Sequence, residues 1–323
     1  MEPLVQVRDL QVRFVSKQAT VHAVNGVDFD LAPRETLCVL GESGSGKSVM
    51  LRSLMRLHPP RRTAMSGTMR LDGNDMMIAS ERQLTNLRGR VVSMVFQEPM
   101  TALDPVFTIG RQIAETIVRH EGTSRAEADR RALELLELVQ IPSAKQRLAA
   151  YPFELSGGLR QRAMIAIALA CRPKLLLADE PTTALDATVQ IQILLLLRRL
   201  QQELGMGVIF VTHDLGVACE IADRIAVMYA GRFIEEGPTA ALMRGPLHPY
   251  TQGLLGATVH AGLRGQRLAT ISGAPPSLER LPQGCAFAPR CAQADAACLS
   301  EVPAARRPVP DRSARCVRVP AIA

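Results

Sequence analysis

Short apolar runs and alternating patterns predict β-strands separated by helices along most of the chain. The first 40 residues alternate between apolar and polar positions, and the apolar run at residues 36–40 predicts a buried strand. Helical spacing covers residues 47–57 and 188–204. Strand patterning returns in short segments, which are residues 91–96, 175–178, 208–211, 225–229 and 233–235. Because strands and helices alternate with short connections, we predict an α/β fold with a mostly parallel sheet.

One block interrupts this alternation. Strand character disappears between about residues 98 and 171, where helical spacing covers residues 109–120, 124–139 and 158–171. We therefore predict a helical subdomain that is inserted into the α/β core.

Composition divides the chain near residue 250. The protein has 323 residues and a net charge of +7, and residues 251–323 contain nine arginines but only four acidic residues. The same segment holds eight of the 21 prolines and four of the seven cysteines. We predict one domain over residues 1–250 and a small, irregular C-terminal extension over residues 251–323. Since the basic excess is concentrated in this extension, we expect no nucleic-acid partner.

A glycine-rich motif follows the apolar run at residues 36–40 and opens the next helix. It fits G-x-x-x-x-G-K-[ST], in which backbone N–H groups surround phosphate oxygens, the lysine reaches the β- and γ-phosphates and the last hydroxyl binds Mg²⁺. The predicted nucleotide-binding residues of this phosphate loop are Gly41, Glu42, Ser43, Gly44, Ser45, Gly46, Lys47 and Ser48. We therefore predict a nucleoside triphosphate site with Mg²⁺.

Two carboxylates follow the apolar run at residues 175–178. A strand end beside a phosphate loop is where a second Mg²⁺ contact is needed, and Asp179 fits this role. Glu180, one residue farther on, is placed to polarise an attacking water as a general base. Without the phosphate loop, the same pair would indicate only an ordinary strand end.

A second candidate anion site precedes the helix at residues 158–171. Ser156 is placed to cap that helix, and Gly157 and Gly158 follow it. The same residues are also typical of a plain capped helix start. The sequence alone therefore leaves both interpretations open.

Together these motifs resemble the nucleotide-binding subunits of ABC transporters across residues 1–250. The resemblance is carried by the phosphate loop, Gln97 at a strand end, LSGGLRQR at residues 155–162, Asp179 with Glu180, Ala184-Leu185-Asp186, and His213. It implies a P-loop NTPase fold of the ABC type and ATP hydrolysis coupled to transport. It also implies a head-to-tail dimer with a second ABC ATPase subunit, identical or paralogous. Two ATP molecules are sandwiched in such a dimer, each between one phosphate loop and the other subunit's Ser156, Gly157 and Gly158.

The same resemblance implies roles for single residues. Gln97 senses the γ-phosphate and Mg²⁺, and His213 contacts the γ-phosphate. Asp186 lies at the seam of the dimer. Phe14 is the candidate for stacking on adenine, although its alternation with Leu10 and Val12 is equally compatible with a core position.

The C-terminal extension carries a narrower resemblance. Residues 246–252 and 284–291, with residues 97–105, resemble ATPases of oligopeptide and dipeptide importers, a subgroup that also serves nickel and glutathione importers. This implies two transmembrane permease subunits and an extracytoplasmic substrate-binding protein as partners. It places the chain peripherally at the cytoplasmic face of the inner membrane, in line with the absence of an apolar span or a signal-peptide pattern from the sequence. The alternative is a soluble ABC ATPase acting on nucleic acid or ribosomes, although such proteins usually carry two cassettes or long coiled coils.

Four cysteines crowd into the extension. In a cytosolic chain, Cys285, Cys291, Cys298 and Cys316 favour metal ligation over disulfides. Nearby arginines suit an anionic [4Fe-4S] iron–sulfur cluster, and these are Arg290, Arg306, Arg307, Arg312 and Arg315. Zn²⁺ is the alternative metal, although the paired C-x₂₋₄-C spacing of zinc ribbons is absent, and thiols without a metal are the third interpretation.

Overall fold

The computed structural model of the chain describes residues 2–183, 185–257 and 270–320. The strands are β1 (Val5–Val15), β2 (Thr20–Leu31), β3 (Thr36–Leu40), β4 (Thr63–Leu71), β5 (Asn74–Asp75), β6 (Val92–Val95), β7 (Leu175–Asp179), β8 (Gly207–Thr212), β9 (Arg224–Tyr229), β10 (Arg232–Pro238), β11 (Arg306–Val309) and β12 (Arg312–Ala314). The α-helices are α1 (Lys47–Ser53), α2 (Glu81–Leu87), α3 (Pro99–Ala102), α4 (Ile109–Glu121), α5 (Arg125–Leu138), α6 (Ala144–Arg147), α7 (Gly157–Leu169), α8 (Ala187–Leu204), α9 (Leu215–Ile221), α10 (Thr239–Arg244), α11 (Pro249–Gly256) and α12 (Ala296–Ser300). Short 3₁₀ turns lie at Pro60–Arg62, Pro152–Glu154 and Ala288–Arg290.

The chain forms two compact units. The first comprises Met1–Leu4, Leu31–Glu35 and Leu71–Phe210, and the second comprises Val5–Asp30, Thr36–Arg70 and Val211–Ala323. Helices α3 to α8 therefore belong to the first unit, whereas α1 and all elements from α9 onward belong to the second.

The first unit combines a parallel strand pair with packed helices. β6 and β7 run parallel, with Val92 opposite Leu175 and Val95 opposite Ala178. On α4, Ile109, Ile113 and Ile117 recur every four residues and are fully buried, which gives the helix one apolar face. The predicted helical block over residues 98–171 accordingly folds as α3 to α7.

The second unit contains a mixed sheet. β3 and β9 pair in parallel, β9 pairs antiparallel with β10, and β10 pairs antiparallel with β12, which in turn pairs with β11. β1, β2 and β4 form a separate sheet in the order β2-β1-β4. The parallel pairings in both units, with helices between the strands, confirm the predicted α/β class.

Several elements differ from the sequence prediction. The helix predicted over residues 47–57 ends at Ser53, because the chain turns through Arg56, whose φ is 51°. The extension is less irregular than predicted, since β12 joins β10 with Ala314 opposite Glu235. β11 and β12 carry few apolar residues, so no alternation marks them in the sequence. Parts of the predicted extension, residues 258–269 and 321–323, lie outside the described residues.

Within the described ranges, no helix combines the length and the apolar character that crossing a bilayer requires.

Candidate nucleotide-binding site

The phosphate loop, residues 41–48, runs from the end of β3 into α1. A Cβ on Gly41 would lie 2.3 Å from the carbonyl oxygen of Met228, and one on Gly46 would lie 2.3 Å from that of Ala23. Gly46 also adopts a φ of 104°, a backbone conformation that residues with a Cβ rarely reach. The structure therefore needs glycine at both positions where the motif has it.

Lys47 and Ser45 are the buried polar side chains of the loop. Lys47 is 4% exposed, and its Nζ donates to the carbonyl oxygens of Gly41 and Glu42 at 2.8 and 3.0 Å. Ser45 is 6% exposed, and nothing in the described part of the chain hydrogen-bonds its hydroxyl. Buried polar groups rarely lack a partner. A buried ammonium and an unpartnered hydroxyl in one glycine-rich loop therefore fit a phosphate-bearing ligand.

Gln97 and Glu180 come together beyond the carboxyl ends of β6 and β7. Because Val95 lies opposite Ala178 in this parallel pair, the residues two positions farther along each strand are neighbours. The Gln97 Nε2 lies 3.4 Å from the Glu180 Oε2, to which it donates, and the Thr183 hydroxyl donates to the same oxygen at 3.0 Å. The register of the sheet thus brings two predicted catalytic residues together.

The two carboxylates after β7 have different surroundings. Asp179 is fully buried at the end of the strand. Glu180 is partly exposed, and its φ of 45° is a left-handed conformation for a residue other than glycine. Such backbone costs on the order of 1–3 kcal/mol and clusters at functional sites, where the surroundings impose it. This geometry aims the Glu180 side chain at Gln97.

Ser156 and Asp186 begin two helices of the first unit. The Ser156 hydroxyl accepts the Leu159 N–H at 3.4 Å and so caps α7, as predicted. The Asp186 carboxylate accepts the Val189 N–H at 3.0 Å and caps α8. A Cβ on Gly158 would lie 2.7 Å from a methyl carbon of Val189, so glycine here lets the two helices approach closely. Ala184, part of the predicted motif, lies outside the described residues.

His213 and Phe14 are the remaining predicted site residues. His213 is exposed and follows β8 directly. Phe14 is partly exposed on β1, and its ring packs edge-on against His58 with centroids 5.3 Å apart. Its proposed stacking on adenine stays a prediction.

The candidate residues are divided between the two units. The second unit holds the phosphate loop, Phe14 and His213. The residues of the first unit are Gln97, Ser156, Gly157, Gly158, Asp179, Glu180 and Asp186.

The four cysteines of the extension line one small cavity. Cys285, Cys291, Cys298 and Cys316 border a space of about 20 Å³ together with His248, and all four are free thiols. The predicted iron–sulfur cluster nevertheless finds no support in this arrangement. No group of three or more His, Cys, Asp or Glu residues in the described ranges is placed to hold a metal ion, which applies equally to Zn²⁺.

Three of the five arginines that were predicted to surround these thiols pair with carboxylates of the second unit, and the predicted surround stays a prediction. The pairs are Arg290 with Glu42, Arg312 with Glu235, and Arg315 with Asp28. The physical reason is that an ionised carboxylate accepts charge-assisted hydrogen bonds from guanidinium, whereas a thiol is a weak partner.

Two residues that touch the phosphate loop were missed by the sequence analysis. The Tyr250 hydroxyl accepts the Glu42 N–H at 3.0 Å, and the Arg290 guanidinium binds the Glu42 carboxylate. Both belong to segments that resemble importer ATPases, residues 246–252 and 284–291. The sequence therefore marked the segments, but no local pattern could reveal a contact between residues more than 200 positions apart.

Two family models match the chain. Residues 24–183 match the ABC transporter model, and residues 234–298 match the model described as the C-terminal region of oligopeptide/dipeptide transporters.

Curated relatives match almost the whole chain. A protein of Brucella melitensis biotype 1, named as a peptide import ATP-binding protein, is 49% identical over 98% of this chain and 97% of its own length. A protein of Brucella abortus with the same kind of name is 51% identical over 93% of this chain and 91% of its own length.

Solved structures of ATP-binding cassettes share the fold. A dimeric ATP-binding cassette in a post-hydrolysis state, bound to ADP and Pi, is 30% identical with a TM-score of 0.65, over 73% of this chain and 98% of that one. A Clostridium perfringens component of the cbiONQ ABC transporter complex is 26% identical with a TM-score of 0.65, over 76% of this chain and 92% of that one.

Proposed function

The chain belongs to the ABC transporter family as an ATP-binding subunit that hydrolyses ATP, and we propose that it powers the import of di- and oligopeptides. The observation that carries the substrate class is the match of residues 234–298 to the oligopeptide/dipeptide transporter C-terminal region. The names of the two Brucella relatives support it. Nickel and glutathione are the alternative cargoes, and the rival function on nucleic acid or ribosomes has no comparable support.

In this proposal the phosphate loop binds ATP. Its backbone N–H groups and Lys47 hold the β- and γ-phosphates, while Phe14 stacks on the adenine. Ser48, Gln97 and Asp179 would hold Mg²⁺, which would offset the negative charge that develops on the phosphates. The unpartnered Ser45 hydroxyl and the buried Lys47 support this assignment.

Glu180 is the general base of the proposed reaction. Its carboxylate accepts a proton from the water that attacks the γ-phosphorus. The bond between the γ-phosphorus and the oxygen that bridges the β- and γ-phosphates breaks, and ADP leaves with the electron pair of that bond. Contacts from Gln97 and Thr183 to one carboxylate oxygen support this role, because they fix the orientation of the base. His213 contacts the γ-phosphate.

The proposed partners follow from the same family. Two ABC subunits associate head to tail, so that Ser156, Gly157 and Gly158 of one subunit face the ATP on the other, with Asp186 at the seam. The exposure of Ser156, Gly157 and Asp186 supports this surface role. Two permease subunits place the dimer peripherally at the cytoplasmic face of the inner membrane, and an extracytoplasmic substrate-binding protein delivers the peptide.

We also propose the domain division into residues 1–250, with a helical subdomain over about 98–171, and residues 251–323.

A further proposal is that the four cysteines hold a [4Fe-4S] cluster or, alternatively, Zn²⁺. Their crowding within residues 285–316 of the sequence supports it, whereas their arrangement in the described part of the chain does not. Anaerobically purified protein should then contain iron and acid-labile sulfide, and Cys298→Ser should lose both. Stoichiometric zinc would decide for the rival metal. Metal-free protein with an extension that resists proteolysis would exclude both metals.

Reconstitution tests the transport function. The chain is co-expressed with the permease subunits encoded beside it, and purified complex is assayed in vesicles for ATP-dependent uptake of labelled dipeptides and oligopeptides. Glu180→Gln complex serves as the matched control. Uptake of nickel or glutathione in place of peptides would contradict the substrate class while leaving the ATPase assignment intact.

A further inference from the structure

Glu42 of the phosphate loop is held at each of its polar groups. Its N–H is accepted by the Tyr250 hydroxyl at 3.0 Å, and its carbonyl oxygen accepts from Lys47 Nζ at 3.0 Å. Its carboxylate receives two parallel bonds from Arg290, at 2.8 and 3.1 Å. Two of these partners, Tyr250 and Arg290, lie beyond residue 245, in the C-terminal part of the chain.

Arg290 is itself firmly positioned. Its side chain is 5% exposed, against 26% for that of Glu42. The guanidinium also donates to the carbonyl oxygens of Ser272 and Ile271 and to the Tyr229 hydroxyl. Because these bonds occupy the donors of the planar guanidinium group, it stays oriented towards Glu42. The pair is thus unlike an exposed ion pair, which contributes little.

The ion pair matters because of where the carboxylate lies. Glu42 belongs to the loop that takes the anionic phosphates, and an uncompensated negative charge there would oppose ATP binding. Arg290 offsets this charge and holds the carboxylate in one orientation. Arg290 also fixes the position of Glu42, whose carbonyl oxygen accepts a hydrogen bond from Lys47 Nζ.

We propose that Arg290 of the C-terminal extension is a positioning residue for nucleotide binding, which acts through Glu42 of the phosphate loop. The inference rests on the assignment of this loop to ATP, which Lys47→Ala tests separately. If Lys47→Ala abolishes ATP binding while Arg290→Ala does not change it, the inference fails and the ATPase function stands.

The first experiment measures ATP affinity of the full chain by nucleotide titration, and KM and kcat of the assembled transporter. Arg290→Ala should raise the Kd and KM for ATP about five- to tenfold. This is the lower end of the affinity changes that coupling between two sites usually produces, and we expect it because the hydrogen bond from Glu42 to Tyr250 remains. The kcat should stay within about twofold, since Glu180 and Gln97 are untouched. Arg307→Ala removes an exposed arginine from the same extension and should leave Kd and KM unchanged.

A double-mutant cycle separates this role from general support of the fold. Glu42→Gln removes the carboxylate that Arg290 offsets, so Arg290→Ala with Glu42→Gln should bind ATP more tightly than Arg290→Ala alone. Arg290→Lys keeps the charge but loses the parallel bonds, so its KM should lie between those of the wild type and Arg290→Ala. The proposal is overturned if Arg290→Ala leaves ATP affinity unchanged in a folded protein. It is equally overturned if neither the double variant nor Arg290→Lys recovers any affinity, because the loss would then come from packing.

Discussion

Replacing Glu235 with glutamine should destabilise the second unit more than replacing any other charged residue of β10 with an uncharged one. Glu235 is 1% exposed, and its Oε1 accepts the Leu247 N–H at 2.8 Å and an Arg312 N–H at 2.9 Å. Its Oε2 accepts the His248 N–H at 2.9 Å. One carboxylate therefore satisfies a guanidinium and two backbone N–H groups, of which that of His248 is buried.

The magnitude follows from what glutamine can replace. Its single carbonyl oxygen can take over one side of the carboxylate, but its NH₂ group must then face a backbone N–H. An unsatisfied buried N–H costs about 1–3 kcal/mol, and losing the ionic component of the Arg312 bond costs on the order of another 1 kcal/mol. We expect the free energy of unfolding to fall by about 3 kcal/mol.

Tyrosine fluorescence can follow this unfolding. The chain has no tryptophan and three tyrosines, and the rings of Tyr229 and Tyr250 pack with centroids 4.7 Å apart in the same unit. Urea titrations should compare Glu235→Gln with Glu236→Gln, which weakens the more exposed pair with Arg224 and should cost about 1 kcal/mol or less. Equal losses for the two variants would refute the reasoning.

The remaining predictions concern chemistry and pH. Lys47→Ala should abolish most ATP binding in a nucleotide titration, because the loop loses its only cation; unchanged affinity would place the site elsewhere. Glu180→Gln should keep ATP binding and accumulate an ATP-bound dimer by size-exclusion chromatography while turnover stops, and wild-type turnover in the assembled complex would contradict the assignment of the base. The hydrogen bond from Arg131 lowers the pKa of Glu121, so the unfolded chain binds more protons as the pH falls below about 4.5, and stability is lost there. Glu121→Gln should weaken that loss in urea titrations at pH 7 and pH 4, and an unaltered pH dependence would count against the pair.

The candidate residues of the phosphate loop could be predicted from the sequence because the motif that they form is local. Close approaches to Met228 and Ala23 require glycine at positions 41 and 46 of the phosphate loop. The motif G-x-x-x-x-G-K-[ST] predicts the same tight loop from local sequence. The proximity of Gln97 and Glu180 needed one further fact, the parallel register of β6 and β7. The hydrophobic pattern predicts the strands, and their alternation with helices predicts parallel pairing. The register between two strands is seen only in the structure.

The extension was the least predictable part. Its strands β11 and β12 are short and rich in arginine and proline, so period-two alternation is absent. Its arginines were expected to surround thiols, yet Arg290 and Arg312 are bound by Glu42 and Glu235. Charge pairing over more than 70 residues of sequence depends on the completed fold, and no spacing rule encodes it.

The link between Arg290 and Glu42 should also act in reverse. If the ion pair lowers the free energy of the ATP-bound loop, linkage requires that ATP stabilise the extension to the same degree. A non-hydrolysable ATP analogue should therefore slow tryptic cleavage within residues 270–320 about five- to tenfold, provided that cleavage follows local opening of this segment. Arg290→Ala should lose this protection even when the analogue is raised to saturate the weakened site, whereas Arg307→Ala should retain it. Protection that survives in saturated Arg290→Ala would mean that the nucleotide reaches the extension by another route, such as the Tyr250 hydroxyl, and that the ion pair does not carry the coupling.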